Sequence, residues 1–277
     1  MIKLIFQFLL MVSMVNIGWC QNYQLISFNI RYDNKSDGLN SWSHRQHDIV
    51  QYFERINPTI IGIQEGLHNQ VDFLNANLED YTYVGVGRDD GLTKGEYCAI
   101  FYHTGKVEML KSGTFWLSEQ PESISIGWDA ALERICTYGL FEDKSTKQRF
   151  WVFNTHFDHK GFKAREHSAA LIINKIQKIN SGQLPVVLMG DFNATPDKIP
   201  IAIFNERMDD GLEISKQSLS GPVGTFNGFR EETENRRIDY IFTSKFSVDS
   251  YSHEDVRTSQ NKYLSDHLPI LISVKQD

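Results

Sequence analysis

Short apolar runs that end in a carboxylate, an amide or an imidazole constrain this chain more than any other feature. The run at 186–189 is fully apolar and passes straight into Gly190-Asp191-Phe192-Asn193. The run at 59–63 delivers Gln64-Glu65, the stretch 23–30 carries Asn29 near its end, and 150–155 is followed by His156 and Asp158. Late in the chain Asp239 lies in the stretch 237–242, and Asp266-His267 precede 270–274. Runs of this length, rich in β-branched and aromatic residues, read as strands. A single Asp after an apolar strand is commonly a helix cap or a turn former. Repeated strand after strand, the pattern points instead to one shared mouth lined by polar groups.

The remaining elements fill in an α/β protein. Stretches 82–86, 99–102, 107–113 and 137–141 read as further strands. Trp42, Arg45, Ile49, Phe53 and Ile56 recur at helical spacing, with Ser41 or Ser43 as N-cap and Pro58 beyond the end. A second helix is expected over 69–78. A third, over 163–179, turns Ala169, Ala170, Ile173 and Ile176 inward. Strands outnumber helices and the helices are scattered, which calls for at least one large sheet with helices packed on it. No linker, charge block or repeat divides the interior, so residues 21–277 are expected to form one domain.

The first 20 residues differ in kind. Lys3 precedes an almost uncharged apolar run over 4–15, and Gly18 and Cys20 occupy the small-residue positions before a cut at Gln21. This is the pattern of a secretory signal peptide, and the run is too short to cross a membrane comfortably. Acylation of Cys20 is the rival reading, weakened by the bulk of Trp19. Cleavage leaves no transmembrane segment and implies a secreted or periplasmic protein. The net charge of −7 becomes −8 once Lys3 is removed. An acidic surface works against duplex nucleic acid, whose affinity comes mostly from basic side chains on phosphates. Only Cys98 and Cys136 would remain, which leaves a disulfide between them open.

Six segments carry a resemblance: Ser27-Phe28-Asn29-Ile30, Ile63-Gln64-Glu65, Asn154-Thr155-His156, Gly190-Asp191-Phe192-Asn193, Arg237-Ile238-Asp239-Tyr240-Ile241-Phe242 and Ser265-Asp266-His267-Leu268-Pro269. In this order they resemble the signature blocks of the endonuclease/exonuclease/phosphatase superfamily, whose fold is that of DNase I. The resemblance implies a four-layer α/β/β/α sandwich of two packed, mostly antiparallel sheets with the site at one edge. It also implies hydrolysis of a phosphomonoester or phosphodiester by an activated water, with Mg²⁺ (Mn²⁺ as the alternative) as cofactor. A hard cation with mostly water ligands needs only one or two carboxylates and an amide.

By that resemblance Glu65 is the principal metal ligand, supported by Asn29 and Asp266. Asp191 orients or deprotonates the water, Asn193 donates to a phosphate oxygen, and Asp239 fixes the tautomer of His267. His156 stabilises developing charge or assists the leaving group. Whether Asp191 or His267 is the base stays open. Asp158, Arg165 and Glu96 are assigned to substrate binding, each with a structural reading beside it as a turn residue or an ion-pair partner. Arg88, Trp128 and Arg134 lie in loops that can line the cleft. The substrate expected is a small, lipid or sugar phosphate ester rather than nucleic acid, and no segment marks a protein partner. A nuclease or a silent phosphate-binding module is the alternative, the latter disfavoured because every core residue is present.

Overall fold

The computed structural model describes residues 22–231 and 234–276, so the segment 1–20, read above as a signal peptide, lies outside the described residues. Two six-stranded sheets make up the centre. The first is ordered β11-β12-β1-β2-β4-β3, from β1 (Asn22–Asn29), β2 (Ile60–Gln64), β3 (Tyr81–Val84), β4 (Ile100–His103), β11 (Phe246–His253) and β12 (Ile270–Gln276). The second is ordered β5-β6-β7-β8-β10-β9, from β5 (Val107–Trp116), β6 (Ile135–Asp143), β7 (Arg149–His156), β8 (Val186–Asp191), β9 (Asp209–Asp210) and β10 (Asp239–Ser244). Helices α1 (Trp42–Ile56) and α2 (His68–Asn77) cover the first sheet; α3 (Phe162–Ile179) and α4 (Ile199–Asn205) cover the second.

Three apolar seams weld the four layers. Ile49, Phe53, Val71 and Leu74 of the helices meet Ile26, Phe28, Ile61 and Ile63 of the first sheet. Leu25, Ile60, Ile100 and Ile272 of that sheet face Val152, Val187, Met189 and Ile241 of the second. Phe153, Leu188 and Phe242 then meet Ala169, Ile172 and Phe204. Residues 186–189 are apolar throughout because Val187 and Met189 point between the sheets while Val186 and Leu188 point at the helices. A strand buried on both faces has no solvent side to mark with polar residues.

Register does the positioning. In the first sheet β1 and β2 run parallel with Asn29 beside Gln64. In the second, β7 and β8 run parallel with His156 beside Asp191, and antiparallel β10 sets Asp239 on the other flank of Asp191. The two sheets are locked near this edge by a buried amide pair. Gln64 Nε2 donates to Asn154 Oδ1 at 2.7 Å, and Asn154 Nδ2 returns bonds to the carbonyls of Ile63 and Ala99.

Sequence patterning does not mark α4, β9 or β11. In β11 the bulge between Val248 and Ser250 interrupts the alternation of apolar and polar residues at Asp249, so the strand reads like loop. The short α4 opens on a proline and is held by tertiary packing of Ile201 and Phe204. Cys98 and Cys136 are separate buried thiols, Cys98 packed with Trp116 and Ile135. Among the described residues no helix is long and apolar enough to cross a membrane.

Buried His253 gives this fold an acid-sensitive point. Its Nδ1 donates to the Pro222 carbonyl at 2.7 Å while Nε2 is buried without a partner. Burial therefore holds the imidazole down at about 4, the Pro222 carbonyl opposing. The unfolded chain binds a proton near pH 6.5 that the folded chain refuses, so stability is complete above 6.5 and lost as pH falls toward 4. The loss is on the order of 3 kcal/mol. A His253→Gln variant should show a flatter melting temperature between pH 6.5 and 4 than wild type; parallel curves would refute this assignment.

Candidate active site

Asp191 is the hub of the edge where the parallel strands end. Its Oδ1 accepts from the backbone N–H of Asn193 at 2.9 Å. Its Oδ2 accepts from Asn29 Nδ2 at 3.0 Å and lies 3.4 Å from His156 Nε2 and 3.7 Å from His267 Nε2. Asn29 Nδ2 also donates to Glu65 Oε1 at 3.0 Å, so one amide spans two carboxylates. Glu65 and Asn193 both hold left-handed backbone, φ 63° and 46°. Non-glycine residues pay for that conformation, and such strain gathers where side-chain aim matters. Gly190 is required as well: at φ 151° a Cβ there would stand 2.0 Å from the Thr155 carbonyl oxygen, on the strand that carries His156.

His267 and Asp239 form the other half. His267 Nδ1 donates to Asp239 Oδ2 at 2.9 Å, both nearly fully buried. Thr225 Oγ1 accepts from the backbone N–H groups of Ile238 and Asp239 and so fixes Asp239 at the head of its strand. Phe226 packs edge-to-face on the imidazole at 5.1 Å. Ser265 Oγ donates to the Asn29 carbonyl at 2.6 Å, tying the chain before His267 to the end of β1. Thr225 and Phe226 have no periodic sequence signal as site supports and are revealed by the folded structure, whereas Ser265 lies in the segment 265–269 already singled out in the sequence.

Electrostatics separate the two histidines. Burial works against a charge on His267, but Asp239 and Asp191 outweigh it and raise the imidazole to about 10, so it is a cation at neutral pH. Burial, then the guanidiniums of Arg134 and Arg88, hold His156 well below its ordinary value, so it is neutral. Burial, with Asp239 adding to it, pushes the Asp191 carboxyl up to about 7, while His267 opposes. Protonated and bonded to Asp239, His267 is placed as a donor at this edge.

Acceptor atoms of Glu65, His156 and Asp191 converge within 4.8 Å, as do those of Asp191, Asp239 and His267. The second group is a protonated imidazole between two carboxylates and needs no ion. The first gathers the Glu65 and Asp191 carboxylates beside a neutral imidazole, with the His267 cation 3.7 Å from Asp191 Oδ2. These hard oxygen donors fit a divalent cation. Asn29 as placed turns its nitrogen to both carboxylates and its oxygen to the Arg31 N–H. Asp266 accepts from Ser265 Oγ at 3.2 Å and lies 3.8 Å from Arg31, with His267 and Glu65 near enough to act on its carboxyl.

The three residues assigned to substrate fall differently. Glu96 faces the site: its Oε2 is 3.7 Å from His156 Nδ1 and accepts from Arg88 at 2.6 Å, with Arg134 3.9 Å away. Asp158 is almost wholly buried, accepting from the Lys160 and Gly161 N–H groups and lying 3.5 Å from Arg134, so it builds the turn into α3 and steadies that arginine. Arg165 donates to the Asp158 carbonyl at 2.7 Å and lies over the Phe162 ring at 4.8 Å. Asn193 Nδ2 sits 3.1 Å from His156 Nε2 and donates to the Phe157 carbonyl.

The Endonuclease/Exonuclease/phosphatase family model matches residues 26–267. The chain belongs to this family. Its members hydrolyse phosphoester bonds and generally use divalent metals, in keeping with the convergence around Glu65 and Asp191. The chain is similar to the endonuclease/exonuclease/phosphatase from Bacteroides vulgatus, 40% identical with a TM-score of 0.88, covering 93% of this chain and 100% of that one. It is also similar to a mannosyl-6-phosphatase from Bacteroides thetaiotaomicron, 37% identical with a TM-score of 0.87, covering 91% and 99%. Uncharacterized protein L388 of Acanthamoeba polyphaga mimivirus is 29% identical over 249 residues, 83% of this chain and 91% of its own. The DNase I-like sandwich expected from the signature segments is the fold observed.

Proposed function

We propose that this protein is a secreted, Mg²⁺-dependent phosphatase that releases phosphate from a sugar phosphate. The hydrolytic part rests on one observation: Asn29, His156 and the His267 cation all converge on Asp191 Oδ2. The sugar-phosphate part draws on similarity to the mannosyl-6-phosphatase. Glu65 and Asp191 would hold the cation, which supplies charge neutralisation at phosphorus when bound, while the Asn29 amide nitrogen keeps both carboxylates in place. Asp191, ionised above about pH 7, takes a proton from the attacking water. His267 would meet the phosphoryl oxygens, where charge collects in the transition state, while the Asn193 amide holds His156. The P–O bond to the sugar breaks, and the departing oxygen takes up a proton from solvent to leave as an alcohol, while the proton held by Asp191 returns to solvent.

The apolar run at 4–15 supports export, and mass spectrometry of the exported protein should give a chain starting at Gln21. A lipid-modified Cys20 at its start would replace that reading with an anchored protein. Nuclease activity remains the second reading on the breadth of the family, and the acidic net charge of −7 works against it.

The substrate test is a panel of hexose phosphates, p-nitrophenyl phosphate, bis-p-nitrophenyl phosphate, DNA and RNA. Hexose phosphates should be turned over best; preference for a diester or nucleic acid would displace the phosphatase reading. EDTA should reduce turnover by more than about 100-fold, with recovery on adding Mg²⁺ or Mn²⁺. Full turnover in chelator would remove Glu65 from the role given to it.

A further inference from the structure

A pocket of about 510 Å³ opens beside the catalytic edge. Asn193, Ala194 and Ile238 form its inner end, which puts it next to the residues that handle phosphorus. The mechanism above leaves the pocket unused. Its volume lies within the range of small-molecule sites, roughly 300–1,000 Å³.

Two walls of the pocket are apolar and face solvent: Phe162 is 70% exposed at the start of α3, and Ile199 is 57% exposed at the start of α4. One side of the Phe162 ring is taken by Arg165, whose guanidinium is fixed by the Asp158 carbonyl. Arg236 lies over Phe226 at 4.7 Å, and Phe226 rests on the catalytic imidazole of His267, so this wall is coupled to the site. Asp197 and Glu166 add acceptors beside these donors.

The mixture selects the occupant. A hexose ring has an apolar C–H face that needs one aromatic or aliphatic wall, and hydroxyls at its edge that need both donors and acceptors. A lipid tail would have no use for two arginines and two carboxylates. We infer that this pocket is the sugar subsite, with Phe162 and Ile199 as its apolar walls and Arg165 and Arg236 as donors to ring hydroxyls. The inference rests on the sugar-phosphate reading above: a monoester has one organic arm, and this is the pocket that receives it.

The test compares mannose 6-phosphate and glucose 6-phosphate with acyclic glycerol 3-phosphate, using the full chain. Phe162→Ala and Ile199→Ser alter exposed side chains and put little of the fold at risk. Each should raise KM for the hexose phosphates about ten-fold while kcat moves less than about three-fold. KM for glycerol 3-phosphate should rise less than about two-fold, since it has no ring to stack. Leu110→Ser, an exposed apolar change on β5, should alter none of these values. Equal KM changes for ring and acyclic substrates, or no change in either variant, would overturn the subsite while the phosphatase stands. A wild-type enzyme that leaves hexose phosphates intact would remove the sugar-phosphate reading itself, and the subsite with it.

Discussion

Asp191→Asn should lower kcat by about 10³–10⁴-fold while the protein stays folded. The substitution keeps the shape of the side chain and the bond from the Asn193 N–H, but sets an amide nitrogen against Asn29 Nδ2, which then donates to Glu65 alone. It removes the one carboxylate of the hub placed to take a proton from water, and half of the charge that draws a cation to Glu65. The cost to stability should be nil or negative. Burial and Asp239 raise the Asp191 carboxyl to about 7, so its ionised form is held at a cost that grows as pH rises from about 4 to 7. Measured in chelator at pH 8, the Asn variant should therefore melt no lower than wild type. Retention of a tenth or more of wild-type kcat by a folded variant would end the role given to Asp191.

The second large effect is expected at a residue that need not touch substrate. Asp239→Asn should cost about 10²–10³-fold in kcat by taking the counter-charge from His267. Burial lowers that imidazole and Asp239 is the largest influence raising it, so the variant holds its charge less firmly where charge on phosphorus must be met. The sign of the pH effect follows. A folded value near 10 against 6.5 unfolded contributes stability that is complete below pH 6.5 and lost as pH rises through about 10. Wild type should show that alkaline decline, and Asp239→Asn should show much less of it. Unchanged kcat together with an unchanged alkaline limb would show that the pair contributes nothing as a charge.

The legible part of the sequence was the part where local pattern and burial agree. Residues 186–189 read as a buried strand because both their faces are covered, and the strand is there as β8. The helix built on Ile49 and Phe53 appears as α1, ending at Asn57 in the left-handed conformation just before Pro58. Elements whose stability comes from their neighbours carried little signal. Neither β11, an alternating edge strand, nor α4, seven residues long, holds itself in place. Isolated helices that short are marginal, and edge strands keep polar residues on their open side.

Sequence alone determined the chemical inventory and its order: Asn29, Glu65, His156, Asp191, Asn193, Asp239, Asp266 and His267, each close to the end of an apolar run. It could not distribute their tasks, because protonation and reach depend on distance rather than on order. Only the tertiary structure made His267 a cation and His156 neutral, since the carboxylates beside one and the arginines beside the other come from distant strands and loops. Only the packing of sheet on sheet put Asn29 within 3.0 Å of Asp191, 162 residues away. It also left Asp266 beside Arg31 and turned Asp158 into the loop before α3. Residue type is written along the chain; dielectric, charge and aim arise where remote segments meet.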